Sequence, residues 1–145
     1  MIRLWQDADL TKIARMHADC FIDAWSLDML KGSFNGNGFY GALIEENGEI
    51  VCTICYLITF DEAELLSVVT KQSERGKGHA EKIMAFAETD LKEKGVNNVF
   101  LEVRESNVPA ISLYKKFGFE KVGRNEKFFK INGEFFAADY MNLYL

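Results

Sequence analysis

Two side chains in the C-terminal part of the sequence are suited to acid–base chemistry. Glu102 is the one carboxylate in the apolar run VFLEV, residues 99–103, where a buried charge is costly unless it is paired or wet. Burial would raise the pKa of Glu102 and make it a stronger base. Alternatively, Glu102 is a carboxylate at the end of the strand that pairs with Arg104 or a lysine and has a structural role. Tyr114, in the stretch LYKKFGF, can donate a phenolic proton, although its helical spacing by itself favours a packed aromatic residue.

A second candidate site is the glycine-rich stretch SERGKGHAEKIM, residues 73–84, which lies between an apolar run and a helical pattern. Such a turn presents backbone N–H groups beside a helix N-terminus, an arrangement that binds phosphate groups. The stretch is not a dinucleotide fingerprint, because Glu81 stands where a third glycine or alanine belongs, and it lacks the Gly-Lys-Ser/Thr of a P-loop. A tight turn with a glycine at positive φ explains the glycines equally well. Local positive charge comes from Lys71, Arg75, Lys77 and Lys82.

Length and composition restrict the classes of protein that this chain can represent. With 145 residues, 48% of them hydrophobic and 27% charged, it has the size and balance of one globular domain, residues 1–145. A net charge of −5 argues against nucleic acid as a partner. No apolar run approaches the ~18 residues of a membrane span, and the stretch MIRLWQDADL is charged too early for a signal peptide. We therefore predict a cytoplasmic protein with no membrane partner.

The cysteines and histidines give little sign of metal or redox chemistry. Three cysteines, an odd number, indicate reduced thiols. Cys52 and Cys55 have CxxC spacing, but in a strand residues three apart point to opposite faces, so we interpret them as small buried hydrophobes. His17 is expected to pack or cap a helix, and His79 occupies a variable loop position without an evident role. We predict no metal site.

Hydrophobic periodicity predicts two helices and then three strands in the N-terminal half of the chain. The stretch DADLTKIARMHADCF has helical spacing, and a short strand before it is left open. SLDMLKGSF forms a second helix, with Ser26 as N-cap and Gly32 as its stop. Residues 38–70 are interpreted as three strands, joined by an Asn-Gly hairpin turn in EENGE and a second turn in FDEAE.

The C-terminal half alternates helices with strands and ends in a hairpin. A helix begins at Gly78, and the following strand, VNNVFLEV, is apolar almost throughout, which predicts burial on both faces. Pro109 opens another helix that Ser106 or Asn107 caps, and the last segment turns at Asn132-Gly133. This order predicts a mixed α/β fold. Antiparallel N-terminal strands precede parallel fourth and fifth strands and a C-terminal hairpin, and about four helices flank the sheet.

The loop and its surroundings resemble a known family. RGKGHA, residues 75–80, fits the pattern Arg/Gln-x-x-Gly-x-Gly/Ala of the GNAT N-acetyltransferases, and the order strand, loop, helix, strand and SNVPAISLYKKFGF resembles that family's core over roughly residues 40–144. LEVRESNVPAISLYKKFGF and DCFIDAWS are similar to the bacterial ribosomal-protein-alanine branch, whose members acetylate the N-terminal amine of a protein. The resemblance implies a GNAT fold, acetyl-CoA as cosubstrate and direct acetyl transfer.

The resemblance also assigns roles to particular residues. Glu102 matches the general base of the ribosomal-protein branch, and Tyr114 matches the acid that protonates the leaving thiolate. The family's splayed strand pairs with the pantetheine arm through its backbone, here at Val68, Val69 and Thr70. Asn107 would contact the cosubstrate besides capping its helix. The loop that would hold the diphosphate consists of Arg75, Gly76, Lys77, Gly78, His79, Ala80 and Glu81.

The sequence leaves the acceptor open. The branch has a Tyr-Tyr pair and an acidic dipeptide near the C-terminal hairpin, where this chain has Phe128-Phe129 and FFAADYM. An open groove would favour a protein N-terminus, whereas a small acidic pocket would favour a small amine such as a polyamine, an amino acid or an antibiotic. A third possibility is an acyl-CoA-binding module without turnover. We expect a monomer or weak dimer, and at least half of six phenylalanines to pack in the core and hairpin: Phe34, Phe39, Phe128, Phe129, Phe135 and Phe136.

Overall fold

The structure, a computed structural model, describes residues 1–21 and 24–145. These residues form a seven-stranded sheet in the order β1-β2-β3-β4-β5-β7-β6, with four α-helices. The β4–β5 pair is parallel and the other five pairs are antiparallel, which confirms the predicted mixed α/β arrangement. The elements are β1 (Ile2–Leu4), α1 (Leu10–Cys20), α2 (Leu27–Phe34), β2 (Phe39–Glu46), β3 (Glu49–Thr59), β4 (Glu62–Thr70), α3 (His79–Glu93), β5 (Asn98–Arg104), α4 (Val108–Lys116), β6 (Glu120–Ile131) and β7 (Glu134–Tyr144).

Local signals mark most element ends. Both Asn-Gly turns have the left-handed backbone that hairpins need, with φ of 51° at Asn132 and 84° at Gly133 in the second of them. Ser26 caps α2 as predicted, since its Oγ accepts a hydrogen bond from the Met29 N–H at 3.2 Å. The predicted stop at Gly32 is wrong, because α2 continues to Phe34. The Phe34 ring packs 5.8 Å from the Phe39 ring and so anchors the last turn.

The sheet separates two hydrophobic clusters. Helices α3 and α4 pack on one face, and α1 and α2 cover part of the other. Cys52 belongs to the first cluster and Cys55 to the second, so the two thiols point to opposite faces, as predicted. Both are free and fully buried, and burial raises the pKa of Cys52 to about 11 and that of Cys55 to about 12. A buried thiol of this kind is an inert hydrophobe.

Strand β5 is buried on one face only, and the prediction of burial on both faces is wrong. Val99, Leu101 and Val103 point into the α3–α4 cluster, but Phe100 is 38% exposed and Glu102 is also exposed. The reason is that the N-terminal helices, α1 and α2, do not extend over β5. Their cluster takes residues from β2, β3 and β4 but none from β5. Glu102 therefore stands on an open part of the sheet and is not a buried charge.

None of the helices in the described ranges, 1–21 and 24–145, is long and apolar enough to cross a membrane. The segment DCFIDAWS, which carried part of the resemblance, includes residues 22 and 23, and these two lie outside the described residues.

Candidate active site

The two parallel strands diverge and open a groove in the middle of the sheet. β4 and β5 are paired at three positions, from Glu62↔Asn98 to Glu64↔Phe100. β4 remains paired with β3 as far as Thr70, but along the rest of its other edge no strand of residues 1–21 or 24–145 pairs with it. Strand edges present backbone N–H and C=O groups that an extended ligand can pair with. The predicted splay is thus confirmed, and Val68, Val69 and Thr70 lie along it.

A cavity of about 560 Å³ occupies this divergence. Its floor is the free part of β4, one wall is the glycine-rich loop with the start of α3, and the other wall is α4. Nearly all of the predicted cosubstrate residues line it: Val68, Val69, Thr70, Arg75, Gly76, Gly78, His79, Ala80, Glu81 and Asn107. The predicted acid, Tyr114, lines it as well. Lys77 is absent from the lining, because its Nζ turns to the Glu74 carboxylate at 2.7 Å.

Backbone geometry explains the two loop glycines. Gly76 has φ of 79° and Gly78 has φ of 82°, both in the left-handed region that L side chains rarely adopt. An added Cβ would meet no atom of the described residues within 4 Å at either position. The conformation of the loop therefore requires glycine whether or not a ligand approaches.

The start of α3 has the features of an anion site. Gly78 is the N-cap residue, and among the residues that the structure describes no side chain caps the helix. The first N–H groups of the helix are therefore left for water or a ligand, and the helix dipole adds partial positive charge. Arg75 lies beside them, with its Nη2 3.6 Å from the Cys20 Sγ. This end of the cavity fits a diphosphate.

Two further contacts shape this end of the cavity. Lys116 of α4 forms a salt bridge with Glu81 at 2.8 Å across the mouth of the cavity. The sequence did not single out this lysine. His79 is buried, and its Nε2 lies 3.2 Å from Glu74 Oε1, while its Nδ1 has no partner within the described residues. The hydrogen bonds from Lys77 and His79 lower the pKa of Glu74, so this carboxylate is ionised. The positive charge of Lys77 offsets this negative charge beside the expected diphosphate.

A second cavity, of about 610 Å³, adjoins the first. Glu102 and Arg104 from β5 line it, together with residues of α1 and Phe128 of the hairpin. Six residues line both cavities: Cys20, Phe21, Val68, Asn107, Ala110 and Tyr114. The predicted base therefore faces one cavity and the predicted cosubstrate loop faces the other, with Tyr114 at the boundary.

Tyr114 is both a packed aromatic residue and a wall of the two cavities. Its side chain is 8% exposed, and its ring lies 5.7 Å from the ring of Phe119. Burial raises the pKa of Tyr114 to about 12, so the phenol keeps its proton at neutral pH. A protonated phenol at this position can donate to a leaving group. Asn107 likewise has two roles, because its Oδ1 accepts a hydrogen bond from the Ala110 N–H at 3.3 Å, as expected of a cap, while it lines both cavities.

His17 also lines the second cavity. It is 2% exposed, its ring meets Phe21 edge-on at 5.9 Å, and its Nε2 has no hydrogen-bond partner within the described ranges. Burial lowers the pKa of His17 to about 4, so the imidazole is neutral at neutral pH. The packing role predicted for it is confirmed.

The phenylalanines noted in the sequence divide between the core and the surface. Phe34 and Phe39 pack with the α1–α2 cluster, and Phe129 stacks on Phe136 at 5.2 Å with the Arg104 guanidinium 4.1 Å above its ring. Phe135 is 50% exposed. Sequence reasoning noted these aromatic residues, but it missed the apolar residues of the second cavity: Phe21, Ala24, Trp25 and Leu66. Phe21, Ala24 and Trp25 follow α1, in the stretch DCFIDAWS that was noted only for its resemblance, and Leu66 lies on β4, so the sequence does not show that these side chains meet.

Comparison with known proteins identifies the family. The sequence profile of the Acetyltransferase (GNAT) family matches residues 5–119. The chain therefore belongs to the GNAT family. This GNAT protein is an acetyltransferase, as the resemblance of its loop and of the VFLEVR strand predicted. GNAT enzymes use acetyl-CoA.

The names of two relatives of this GNAT protein indicate different acceptors. A [Ribosomal protein bS18]-alanine N-acetyltransferase of Haemophilus influenzae is 31% identical over 121 residues, 83% of this chain and 82% of that protein. A streptothricin acetyltransferase of Escherichia coli is 35% identical over 81 residues, 55% of this chain and 45% of that protein. Among solved structures, the ribosomal-protein-S18-alanine N-acetyltransferase of Escherichia coli superposes with a TM-score of 0.92 at 22% identity, covering 99% of this chain and 92% of that one.

Proposed function

We propose that this GNAT protein transfers the acetyl group of acetyl-CoA to the N-terminal amine of a protein. The observation that carries the proposal is the position of Glu102. It is an exposed carboxylate, without an ion pair in the described ranges, in a cavity that adjoins the cosubstrate groove. An incoming ammonium group supplies the missing positive charge. The Haemophilus influenzae relative, similar over most of both chains, acts by its name on the alanine of a ribosomal protein.

The shape and charge of the second cavity favour a peptide. Glu102 is the only carboxylate among its described lining residues, and Arg104 lies two residues away on the same strand. A pocket for a polyamine would need several negative charges. Apolar side chains from the segment after α1 and from the hairpin complete the lining, including Phe21 and Phe128, each 37% exposed. Such partly exposed apolar walls suit the side chains of an extended peptide.

We infer the following division of tasks among the residues. The loop from Arg75 to Glu81, with the free N–H groups of α3, binds the diphosphate, and the free edge of β4 holds the pantetheine arm. Glu102 takes a proton from the acceptor ammonium, because only the neutral amine attacks a thioester carbonyl. Tyr114 donates its phenolic proton to the departing thiolate. An α-ammonium, with a pKa of about 7.7–8.0, is easier to deprotonate at neutral pH than a lysine side chain.

A test is to measure coenzyme A release from acetyl-CoA with a panel of peptides with free N-termini and a panel of small amines. We expect turnover with peptides, at a rate that Glu102→Gln lowers by about 10²-fold or more, the usual contribution of a general base. Glu93→Gln, an exposed carboxylate on α3 that lines neither cavity, is the matched control and should leave the rate unchanged. Equal rates for wild type and Glu102→Gln would refute the assignment of the base.

A small-amine acceptor is the second candidate function. The observation in its favour is the streptothricin acetyltransferase relative, although the match spans 45% of that protein. Release of coenzyme A with small amines only, and with no peptide, would replace the first proposal by this one. Binding of acetyl-CoA without turnover of any acceptor would support the third possibility, an acyl-CoA-binding module without catalytic activity. The cytoplasmic location and the monomeric or weakly dimeric state stay predictions.

A further inference from the structure

A histidine and two carboxylates meet where the glycine-rich loop approaches the hairpin of β2 and β3. Glu46 is the last residue of β2, Glu74 directly precedes the loop, and His79 is the first residue of α3. One ligand atom from each of the three side chains lies within 4.8 Å of the other two. Glu46 is far from the other two in the sequence, so no local spacing predicted a metal site here.

The burial of His79 distinguishes this cluster from an ordinary acidic surface. Its side chain is 5% exposed, although it occupies the first turn of a helix that packs on the sheet. The ring is directed at the carboxylates, since its Nε2 lies 3.2 Å from the Glu74 Oε1. Its Nδ1 has no hydrogen-bond partner among the residues that the structure describes. A buried imidazole that is only partly satisfied is unfavourable unless it binds something, and an apolar side chain would pack here without that cost.

The two carboxylates lie close together with little positive charge between them. Glu46 is exposed and forms no hydrogen bond or ion pair within residues 1–21 and 24–145. Lys77 binds the other carboxylate oxygen of Glu74, Oε2, at 2.7 Å, so Oε1 remains directed at His79 and Glu46. Like charges at this separation repel, and a cation between them would remove the repulsion.

The donor atoms suit Zn²⁺ better than Mg²⁺ or Ca²⁺. Imidazole nitrogen and carboxylate oxygen both bind Zn²⁺ at about 2.0–2.2 Å, whereas Mg²⁺ and Ca²⁺ select oxygen ligands. Two bonds of that length at a tetrahedral angle place their donor atoms roughly 3.3–3.5 Å apart. The distance of 3.2 Å between His79 Nε2 and Glu74 Oε1 is close to this value. Three protein ligands leave the fourth position of the ion for water.

We propose that Glu46, Glu74 and His79 form a binding site for Zn²⁺ or a similar divalent transition-metal cation. The ion ties the end of β2 to the residue before the loop and to the start of α3. Glu74 and His79 also line the cavity of about 560 Å³, so the bound charge lies beside the expected diphosphate. Zn²⁺ and acetyl-CoA therefore strengthen each other's binding, because coupling between two sites is reciprocal. The metal site goes beyond the proposed function, and only this coupling rests on the cosubstrate assignment.

The first experiment is a calorimetric titration of the full chain with ZnCl₂, without acetyl-CoA or acceptor. We expect one ion per chain, and Glu46→Gln should weaken its binding by about tenfold or more, which corresponds to ~1.4 kcal/mol. Glu46 is exposed, so this variant should fold. The matched control is Glu49→Gln, which changes the same charge directly opposite on β3, where Glu49 pairs with Lys71, and it should bind like the wild type. No binding by the wild type, or equal affinity in Glu46→Gln, would overturn the proposal.

The other nearby ligand for Zn²⁺ is the thiol of Cys20. Its Sγ lies 3.6 Å from the Arg75 Nη2 at the same end of the cavity. Cys20→Ser should bind Zn²⁺ with the affinity of the wild type. Loss of binding in this variant would place the ion at the thiol and would also overturn the proposal.

Thermal unfolding shows whether the ion binds the native state. A ligand of the native state raises Tm, so Zn²⁺ should raise the Tm of the wild type and of Glu49→Gln but not that of Glu46→Gln. Magnesium at the same concentration should leave all three unchanged. An equal rise of Tm in Glu46→Gln would contradict the assigned ligands.

The coupling to the cosubstrate has a test of its own. The Kd of acetyl-CoA should fall by about fivefold when Zn²⁺ replaces a chelator in the buffer, and Glu46→Gln should show no such change. An unchanged Kd in the wild type would refute the coupling. Because the zinc titration needs neither acetyl-CoA nor an acceptor, its outcome is separate from the proposed function. A chain that releases no coenzyme A but binds Zn²⁺ through Glu46 would refute the function and support the metal site.

Discussion

Replacing Gly78 by alanine separates backbone strain from cosubstrate binding. Gly78 has φ of 82° and ψ of 13°, and an added Cβ would meet no protein atom within 4 Å. The cost to the free protein is therefore the left-handed conformation alone, about 1–2 kcal/mol of unfolding free energy. For a chain of this size, each kcal/mol lowers Tm by roughly 2–4 °C, so the fold persists.

Two matched glycines make the comparison quantitative. Gly48 has φ of 78° with open space around it, in the turn between β2 and β3 and outside both cavities, so Gly48→Ala should lower Tm by a similar amount. Gly32 lies inside the exposed face of α2 with nothing within 4 Å, so Gly32→Ala should raise the unfolding free energy by about 0.5–1 kcal/mol. Differential scanning calorimetry measures all three changes.

Of these three variants, only Gly78→Ala should weaken the binding of acetyl-CoA. Gly78 lines the cavity that we propose for the diphosphate, so an added Cβ should crowd the ligand there, and we expect the KM for acetyl-CoA to rise by about tenfold, which corresponds to ~1.4 kcal/mol of binding. Steady-state coenzyme A release and calorimetric titration with acetyl-CoA measure this change. If Gly78→Ala loses stability like Gly48→Ala but binds acetyl-CoA like the wild type, the loop is only a turn and the diphosphate assignment is refuted.

Three further predictions concern buried or partly buried groups. Tyr114→Phe keeps the ring packing, so Tm should change little while kcat falls by about 10²-fold in the coenzyme A release assay. Iodoacetamide should modify Cys20, which lines both cavities, and acetyl-CoA should protect it, whereas Cys52 and Cys55 are buried and should not react in the native protein; peptide mass spectrometry reads this out. His17 has a pKa lowered from 6.5 to about 4, so the unfolded chain binds its proton first and stability falls as pH drops through this window; His17→Gln should flatten that dependence in urea titrations.

The loop and the order of the elements could be predicted from sequence because their signals are local. A left-handed turn needs glycine or asparagine within a few residues, and a helix needs one apolar stripe and a cap. Asn107, Ser26 and the two Asn-Gly turns all have the geometry that their types indicate. The strand–loop–helix order around Gly78 likewise carries the family resemblance in consecutive residues.

The predicted stop at Gly32 failed because a glycine permits a helix to end but does not force it to. The contact that extends α2 is between Phe34 and Phe39, residues of two different elements. The prediction of burial around Glu102 failed for a related reason. An apolar run indicates that a strand has hydrophobic side chains, but which face of the strand is covered depends on the N-terminal helices, which lie some 80 residues away in the chain.

The sequence by itself predicted the mixed sheet and the glycine-rich loop, and it offered Glu102 and Tyr114 as candidates for the base and the acid. The tertiary structure alone decided that β4 and β5 separate after three pairs, that Glu102 stands on the uncovered face, and that Tyr114 lies where two cavities meet. The secondary structure of a residue depends largely on neighbours within about four residues, whereas a cavity depends on how closely the packed elements approach one another. That gap is set by long-range packing, which no single stretch of the chain encodes.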